Sequence, residues 1–522
     1  MLTWTHWMKA TNRRAQRLQP LQPVAEEKLS KLTFQFYFMG KAGSLICLFL
    51  LGLAAPSKAQ TWNFDDSTRA AYQLVLDLRT DEARKLLAST QTITGHYVLL
   101  LANSLELALT EDKKRFAASE DWFRQLLDDY ARKNDPASLL LMAEAHLQWS
   151  FIYVKFGHEL EGAFHLARAY ELIEATRERS TDLVPSQKTF GLVQVILGAV
   201  PDQYNWLMSL MGLDGSMDYG LKALADSVLL ECDFALEASL MGALINGFIL
   251  QRPKVAEALI DEILDQESSP NYLTTYVAAL LAIKDSKSER ALTLLNTIAD
   301  RPGALPLHYA NYLRGEIFLH KAVYDSATSC YEKFLAGYSG QNFRKDARYK
   351  IGVCHWLSGD DEQARIHFER AENEGVETSE ADRSAAASLR IKTFPHRLLS
   401  KARYAMDGGY FEEARRILSA IADGDVSEKS HQIEYYYRRA RLEHLTMRIQ
   451  PAKLFYGQTI DLAADEPLYF APNSCLQMGY ILVAEKNIPE AKKYFRRALK
   501  YRKHEYKNSI DSKARSALNS LR

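Results

Sequence analysis

The sequence has little of what breaks helices and little cysteine: 25 Gly, 15 Pro and 5 Cys in 522 residues. So few Gly and Pro exclude a collagen-like or low-complexity chain, and so few Cys exclude a disulfide-dense small scaffold. Neither charge is in excess, with 65 Lys+Arg against 65 Asp+Glu. Nucleic-acid binders usually carry a basic surplus, so no nucleic-acid partner is expected. No P-loop, no G-x-S-x-G elbow and no dinucleotide fingerprint occurs, and with little strand patterning the α/β scaffolds of those motifs are absent. His158-Glu159 fails the zincin pattern because Gly stands at 162. These absences point away from an enzyme and give no cofactor and no metal site.

What is present favours helix. Hydrophobic residues make up 47% of the chain and charged residues 25%, with abundant Ala, Leu, Glu and Lys. The length exceeds the roughly 250–300 residues at which single cores stop growing, so several domains or a repeat array are expected. One apolar run stands out, Leu45 to Ala55, preceded by Met39-Gly40-Lys41 and followed by Pro56-Ser57-Lys58-Ala59. Its length falls well short of the ~20 residues of a membrane-spanning helix. This is the pattern of a secretory signal peptide cleaved after Ala59, which implies a periplasmic or secreted protein. Residues 1–38 then read as upstream of a true start at Met39. The alternative is an uncleaved membrane anchor with a short cytoplasmic tail. Without the eight Lys/Arg and two Asp/Glu of residues 1–59, the chain holds 57 basic and 63 acidic residues, and no later stretch suggests a transmembrane span. Cys232, Cys330, Cys354 and Cys475 remain, either as buried thiols or as disulfides of an oxidising compartment.

A repeat organises the second half. Gly352, Ala364, Phe368 and Ala371 define a frame that recurs as Gly479, Ala491, Phe495 and Ala498, and again as Gly315, Ala327, Tyr331 and Phe334. Small residues let two antiparallel helices cross closely, and the large ones fill the gap to the next hairpin. This frame resembles the tetratricopeptide repeat. Its anchor alanines fall at 256, 291, 327, 364, 414, 452 and 491, in steps of 35, 36, 37, 50, 38 and 39, against about 34 in that family. The long step contains Glu372–Ser388, an acidic, small-residue stretch that reads as a loop or an extra helical turn. Residues 60–235 are helical but less regular, with a degenerate second helix around Ala83 and long amphipathic stretches at 116–132, 136–156 and 161–177. The expected fold is thus an all-α solenoid of antiparallel helix hairpins, divided into 1–59 (extension and leader), 60–235 (irregular helical domain) and 236–522 (repeat array).

The segment Gly191 to Leu224 joins an apolar helix, Pro201, a second helix, Met211-Gly212 to Gly215, and a Gly220-Leu221 helix start. It resembles the family of tetratricopeptide-repeat protein 39 and the fungal inclusion-body clearance protein, over about 60–522. The resemblance implies an all-α repeat protein without catalytic residues. The leader departs from that intracellular family. The Tyr349-Lys350-Ile351-Gly352 repeat also resembles those of outer-membrane assembly and cell-envelope adaptors.

In such repeats the first helix of each hairpin lines the concave face. That selects Tyr309, Tyr312 and Glu316; Tyr349 and Lys350; Tyr437, Arg438 and Arg441; Asn473, Gln477 and Tyr480 as a groove for a protein or peptide partner. Tyr and Arg are frequent in binding hot spots, though several of these tyrosines can equally pack between repeats. The resulting reading is a non-catalytic envelope scaffold or adaptor; the alternative is a small-ligand or glycan receptor. Asp423, Asp425, Ser427 and Glu434 fit part of an EF-hand frame, but Glu428 stands where the turn needs Gly, so the stretch reads as a polar turn. From Glu485 to Arg522 there are 12 Lys/Arg against four Asp/Glu, leaving 45 against 59 over 60–484. This basic end is either the solvated face of a capping helix or a patch for an anionic partner.

Overall fold

The computed structural model describes residues 62–180, 185–200, 212–229, 233–266, 270–298, 302–391, 394–463, 466–504 and 506–521. The leader with its cleavage position, residues 201–211 and Cys232 lie outside them. Among the described residues there is no strand. The first half holds α1 (Asp66–Leu76), α2 (Thr80–Leu86), α3 (Ile93–Thr110), α4 (Lys113–Ala131), α5 (Pro136–Lys155), α6 (Glu159–Arg179), α7 (Ser186–Gly198), α8 (Met217–Leu229) and α9 (Ala235–Leu244). The repeat array follows as α10 (Pro253–Gln266), α11 (Tyr272–Lys284), α12 (Ser288–Thr297), α13 (His308–His320), α14 (Tyr324–Gly337), α15 (Arg344–Ser358) and α16 (Asp361–Glu372). It continues with α17 (Glu380–Ile391), α18 (Arg397–Asp407), α19 (Phe411–Ser419), α20 (Lys429–Leu445), α21 (Ile449–Leu462), α22 (Phe470–Ala484), α23 (Ile488–Lys500) and α24 (Lys507–Ser520). The chain is an all-α solenoid of helix hairpins.

One turn builds the hairpins. Leu78, Gly157, Gln251, Ser286, Ala322, Gly359, Gly409, Met447 and Lys486 each adopt a left-handed backbone between two helices. At Ala322 the pattern is plain: its N–H donates to Leu319 O (3.1 Å) and Val323 N–H to Phe318 O (2.9 Å). The same pair recurs at Ser286–Lys287, Met447–Arg448 and Lys486–Asn487. This is the Schellman closure, which satisfies carbonyls that a helix end leaves bare. Five residues after each array turn comes an anchor alanine, and Ala256, Ala291, Ala327, Ala364, Ala414, Ala452 and Ala491 are all 0–1% exposed. The unequal steps seen in sequence are therefore the spacing of a constant turn. Leu78 and Ala83 show the same offset, so the first hairpin belongs to the same pattern.

The first helix of a hairpin touches the second through glycine. A Cβ on Gly315 would lie 2.6 Å from the Tyr331 ring, one on Gly352 2.6 Å from Phe368, and one on Gly479 2.4 Å from Phe495. The ring occupies the volume that any side chain would need. The Gly191–Leu224 signature has a related cause: a Cβ on Gly191 would sit 2.8 Å from Gly220 O, and one on Gly220 2.7 Å from Gly191 O, so α7 and α8 cross backbone to backbone.

Buried charges order the first half. Lys188 on α7 lies 3.0 Å from Glu144 on α5, 2.9 Å from Glu237 on α9 and 2.8 Å from the Tyr97 hydroxyl on α3. Removing one partner from such a buried network leaves an uncompensated charge. The first half also folds back onto the array, a contact that no periodicity announces. Glu111, buried at the end of α3, accepts Asn342 Nδ2–H (2.8 Å) and the Gln341 N–H (3.1 Å), and pairs with Lys155 at 2.7 Å. Leu305 N–H donates to Leu78 O at 2.9 Å. Burial alone would raise the Glu111 carboxyl, but Lys155 and Asn342 hold it below the usual value.

The 50-residue step is neither a plain loop nor a single extra helical turn. It folds into α17, capped by Ser379, whose hydroxyl donates to Asp382 at 2.6 Å. Asp382 is fully buried and accepts the N–H groups of Phe343 (2.7 Å) and Asp346 (3.0 Å), closing the start of α15. Burial pushes its carboxyl up to about 6.

Chemical denaturation tests the closure. Gly352→Ala and Gly479→Ala force an aromatic ring to move and should each cost about 1–3 kcal/mol. Gly457→Ala, on α21 with nothing within 4 Å of the added carbon, should instead gain up to ~1 kcal/mol from helix propensity. Equal effects at all three positions would refute the contact. Ala322→Gly should gain a fraction of the roughly 1–2 kcal/mol that a left-handed L-residue costs; a loss of stability would contradict the turn.

Candidate functional site

A continuous cavity of about 2710 Å³ runs along the inner side of the array. Successive first helices supply its wall: Tyr349 and Trp356 from α15, Arg403 and Tyr404 from α18, Arg438 from α20 and Tyr480 from α22. The inserted α17 contributes Arg383 and Ile391, and α24 contributes Lys513 and Arg515. Met217 of α8 and the Ile249–Arg252 segment that leads into α10 reach the same space. Second helices contribute their aromatic frame residues Phe368 and Phe495, the rings that pack on Gly352 and Gly479, and α16 adds Arg365, Glu369 and Glu372. A smaller cavity of about 590 Å³ lies between α19, α20 and α21, lined in part by Arg415, Arg448 and Leu454.

Of the residues selected from sequence, Tyr349, Arg438 and Tyr480 line the large cavity. Tyr480 is 38% exposed and meets Phe495 edge-on at 5.4 Å. Tyr349 meets Phe368 in a tilted ring contact at 5.3 Å. Arg438 is largely buried and paired with Glu434 at 2.7 Å. The others serve packing. Tyr309 stacks on Tyr312 at 5.0 Å, and the Tyr312 hydroxyl donates to Asp346 at 2.5 Å. Lys350 is held by Glu316 (2.5 Å) and Asp346 (3.0 Å). Tyr437 is buried and accepts Asn473 Nδ2–H at 2.7 Å, with Gln477 behind it, its amide donating to Asn473 at 3.4 Å. Arg441 turns toward the Tyr456 hydroxyl.

Sequence reasoning missed Trp356, Arg403, Tyr404, Tyr469 and the whole of α17. Trp356 lies one helical turn beyond Gly352 and stacks on Phe394 at 5.6 Å, so the frame could have found it. Arg403 and Tyr404 belong to the repeat that follows the long step, where the frame was blurred.

The remaining singled-out features have structural partners. Asp425 accepts the Ala422 N–H at 2.9 Å in a 3-10 turn, and Glu434 turns to Arg438. Cys330, Cys354 and Cys475 are buried free thiols. Lys493, Arg496, Arg497, Lys500, Arg502 and Lys503 are exposed, opposite the buried Ala491, Phe495 and Ala498. No described helix is long and apolar enough to cross a membrane.

A histidine pair away from the cavity joins α5 and α6. His146 Nδ1 and His165 Nδ1 lie 2.6 Å apart, so one ring donates while the other accepts. His165 stacks on Tyr153 at 4.9 Å and Phe123 on Trp149 at 4.5 Å. No third metal-ligating group joins them among the described residues.

No protein-family model matches the sequence, and no curated protein matches it. Three solved structures illustrate what it is similar to. The tetratricopeptide-repeat domain of P58(IPK) is 16% identical with a TM-score of 0.20, covering 72% of this chain and 98% of that one. The quorum sensor NprR from B. thuringiensis, in its apo form, is 12% identical with a TM-score of 0.27, covering 76% and 97%. The human IFIT1 dimer with m7Gppp-AAAA is 12% identical with a TM-score of 0.27, covering 84% and 97%. The class, an α-solenoid of tetratricopeptide-like hairpins, rests on this chain's own turn and frame.

Burial lowers His146 to about 3 and His165 to about 4. The unfolded value is near 6.5, so the folded pair binds fewer protons, and its stabilisation is present above about pH 6.5 and lost as pH falls toward 4. His165→Gln should therefore flatten part of the fall in melting temperature between those values. An unchanged slope would remove the pair as a cause.

Proposed function

We propose that this protein is a non-catalytic scaffold that holds an extended segment of a protein partner in the cavity along its first helices. The observation that carries the reading is the run of Tyr349, Trp356, Arg403, Tyr404, Arg438 and Tyr480 down one continuous wall. Tyrosine and tryptophan offer large contact area at low entropic cost, and arginine offers directed donors. The volume of about 2710 Å³ weighs against the small-ligand or glycan receptor, because such sites usually enclose about 300–1,000 Å³. The Gly191–Gly220 crossing supports a kinship with the tetratricopeptide-repeat protein 39 family. The leader pattern supports export to the periplasm or beyond and a role as an envelope adaptor.

Two measurements test this. A photo-crosslinking residue at Tyr480 or Phe394, the latter 37% exposed, should trap a discrete protein partner, whereas the same residue at the outward Arg496 should not; equal yields at all three sites would contradict the cavity assignment. For export, N-terminal sequencing of the mature protein should begin at Gln60; a chain keeping residues 1–59 would contradict it.

A further inference from the structure

The smaller cavity between α19, α20 and α21 shares no lining residue with the large one. Its charged lining is three arginines and one glutamate: Arg415 of α19, Arg439 and Glu443 of α20, and Arg448 at the start of α21. Contacts fix their places. Glu443, 5% exposed, pairs with Arg415 at 2.7 Å and with Arg448 at 3.1 Å. Arg439 lies one helical turn before Glu443 on the same face of α20. Its guanidinium sits 4.3 Å from the ring centroid of Phe455, which shares a face of α21 with Pro451 and Arg448. The three guanidiniums thus gather over adjacent turns of the α20–α21 hairpin.

Their charge is not balanced. One carboxylate, that of Glu443, serves two of these cations. Glu412 lies 3.9 Å from Arg415 Nε, but its side chain is 89% exposed and water screens it. Arg439 has no carboxylate within 4.0 Å among the described residues. It donates to the Tyr435 hydroxyl at 3.1 Å and lies over Phe455, contacts that place the cation without neutralising it. Arg448 gives one nitrogen to Glu443, and its side chain is 56% exposed. Helix α21 begins at this cavity with no capping side chain and no acid in its first turn, so its positive end adds to the same field. Beside the charges the lining is largely apolar, with Leu418, Leu442, Pro451, Leu454 and Phe455.

We propose that this cavity binds a small organic anion, its carboxylate or phosphate group taken by Arg439 and Arg448 and its apolar body laid against Phe455, Leu454 and Pro451. A guanidinium presents a planar fork of donors that matches either head group. Glu443 is the positioning residue that holds Arg448. The volume decides for a discrete molecule over an extended chain: about 590 Å³ against about 2710 Å³ in the large cavity, and small-ligand sites usually enclose about 300–1,000 Å³. The proposal stands apart from the scaffold reading, which rests on other residues.

The test is calorimetric titration of the full chain with phenylbutyrate and phenyl phosphate, beside neutral phenylbutanamide, cationic phenylbutylamine and inorganic phosphate. Phenylbutyrate should bind about tenfold tighter than its amide, in line with a charge-assisted contact, and both aryl anions should weaken as salt rises. Arg439→Gln and Arg448→Gln should each remove most of that advantage, whereas Arg496→Gln on the outer face should change nothing. Thermal melts of the same variants separate misfolding from loss of the site. Leu454→Ser, at a position 61% exposed and therefore tolerant of substitution, should weaken both aryl anions and leave inorganic phosphate as it was. Equal affinity for phenylbutyrate and its amide, or tightest binding of the amine, overturns the proposal, as does the absence of binding by either aryl anion. Inorganic phosphate binding as tightly as phenyl phosphate overturns it as well, because the apolar body would then have no role. Affinity that survives both arginine substitutions overturns the assignment to this cavity. A short Glu-containing peptide that displaces phenylbutyrate at lower concentration than phenylbutyrate itself overturns the small-molecule occupant.

Discussion

The contact between a first-helix glycine and a second-helix aromatic ring governs the rest of this molecule. At Gly315–Tyr331, Gly352–Phe368 and Gly479–Phe495 the ring fills the space a Cβ would need. It can do so only if the two helices leave their shared turn at a constant angle. The left-handed residue five positions before the buried alanine supplies that angle. Local hydrogen bonding sets the geometry, and packing then overrides the strain of placing Ala, Ser, Met or Lys in a conformation that suits glycine.

The cavity follows from the same constraint. With each second helix locked behind its first, the exposed faces of successive first helices point to one side, and Phe368 and Phe495 reach the wall from behind. The cavity is thereby tied to closure: a side chain at Gly352 or Gly479 displaces a ring that is both core and cavity surface. The insertion after α16 reinforces this wall, since Asp382 caps α15 while Arg383 and Ile391 of the same helix face the cavity.

Much of this was legible in sequence because it depends on local spacing. The anchor alanines, the three glycine frames and the long helices of the first half all follow from side-chain size at fixed intervals. What was not legible depends on partners far apart in the chain. Tyr312, Tyr437 and Lys350 share the residue types of a binding surface, yet Asp346, Asn473 and Glu316 from neighbouring helices engage them. Glu111 likewise became meaningful only when Asn342, on a distant loop, was brought to it. The insertion read as a loop or an extra helical turn because small and acidic residues are common in solvated loops, and its buried Asp382 is visible only against the backbone it caps.

The account's central claim is that glycine and ring are one coupled unit, and a double-mutant cycle at Gly479 and Phe495 tests it most directly. Gly479→Ala should be costly beside Phe495 and nearly harmless beside Phe495→Leu, giving a coupling of about 1 kcal/mol or more. Strict additivity of the two substitutions would contradict the account.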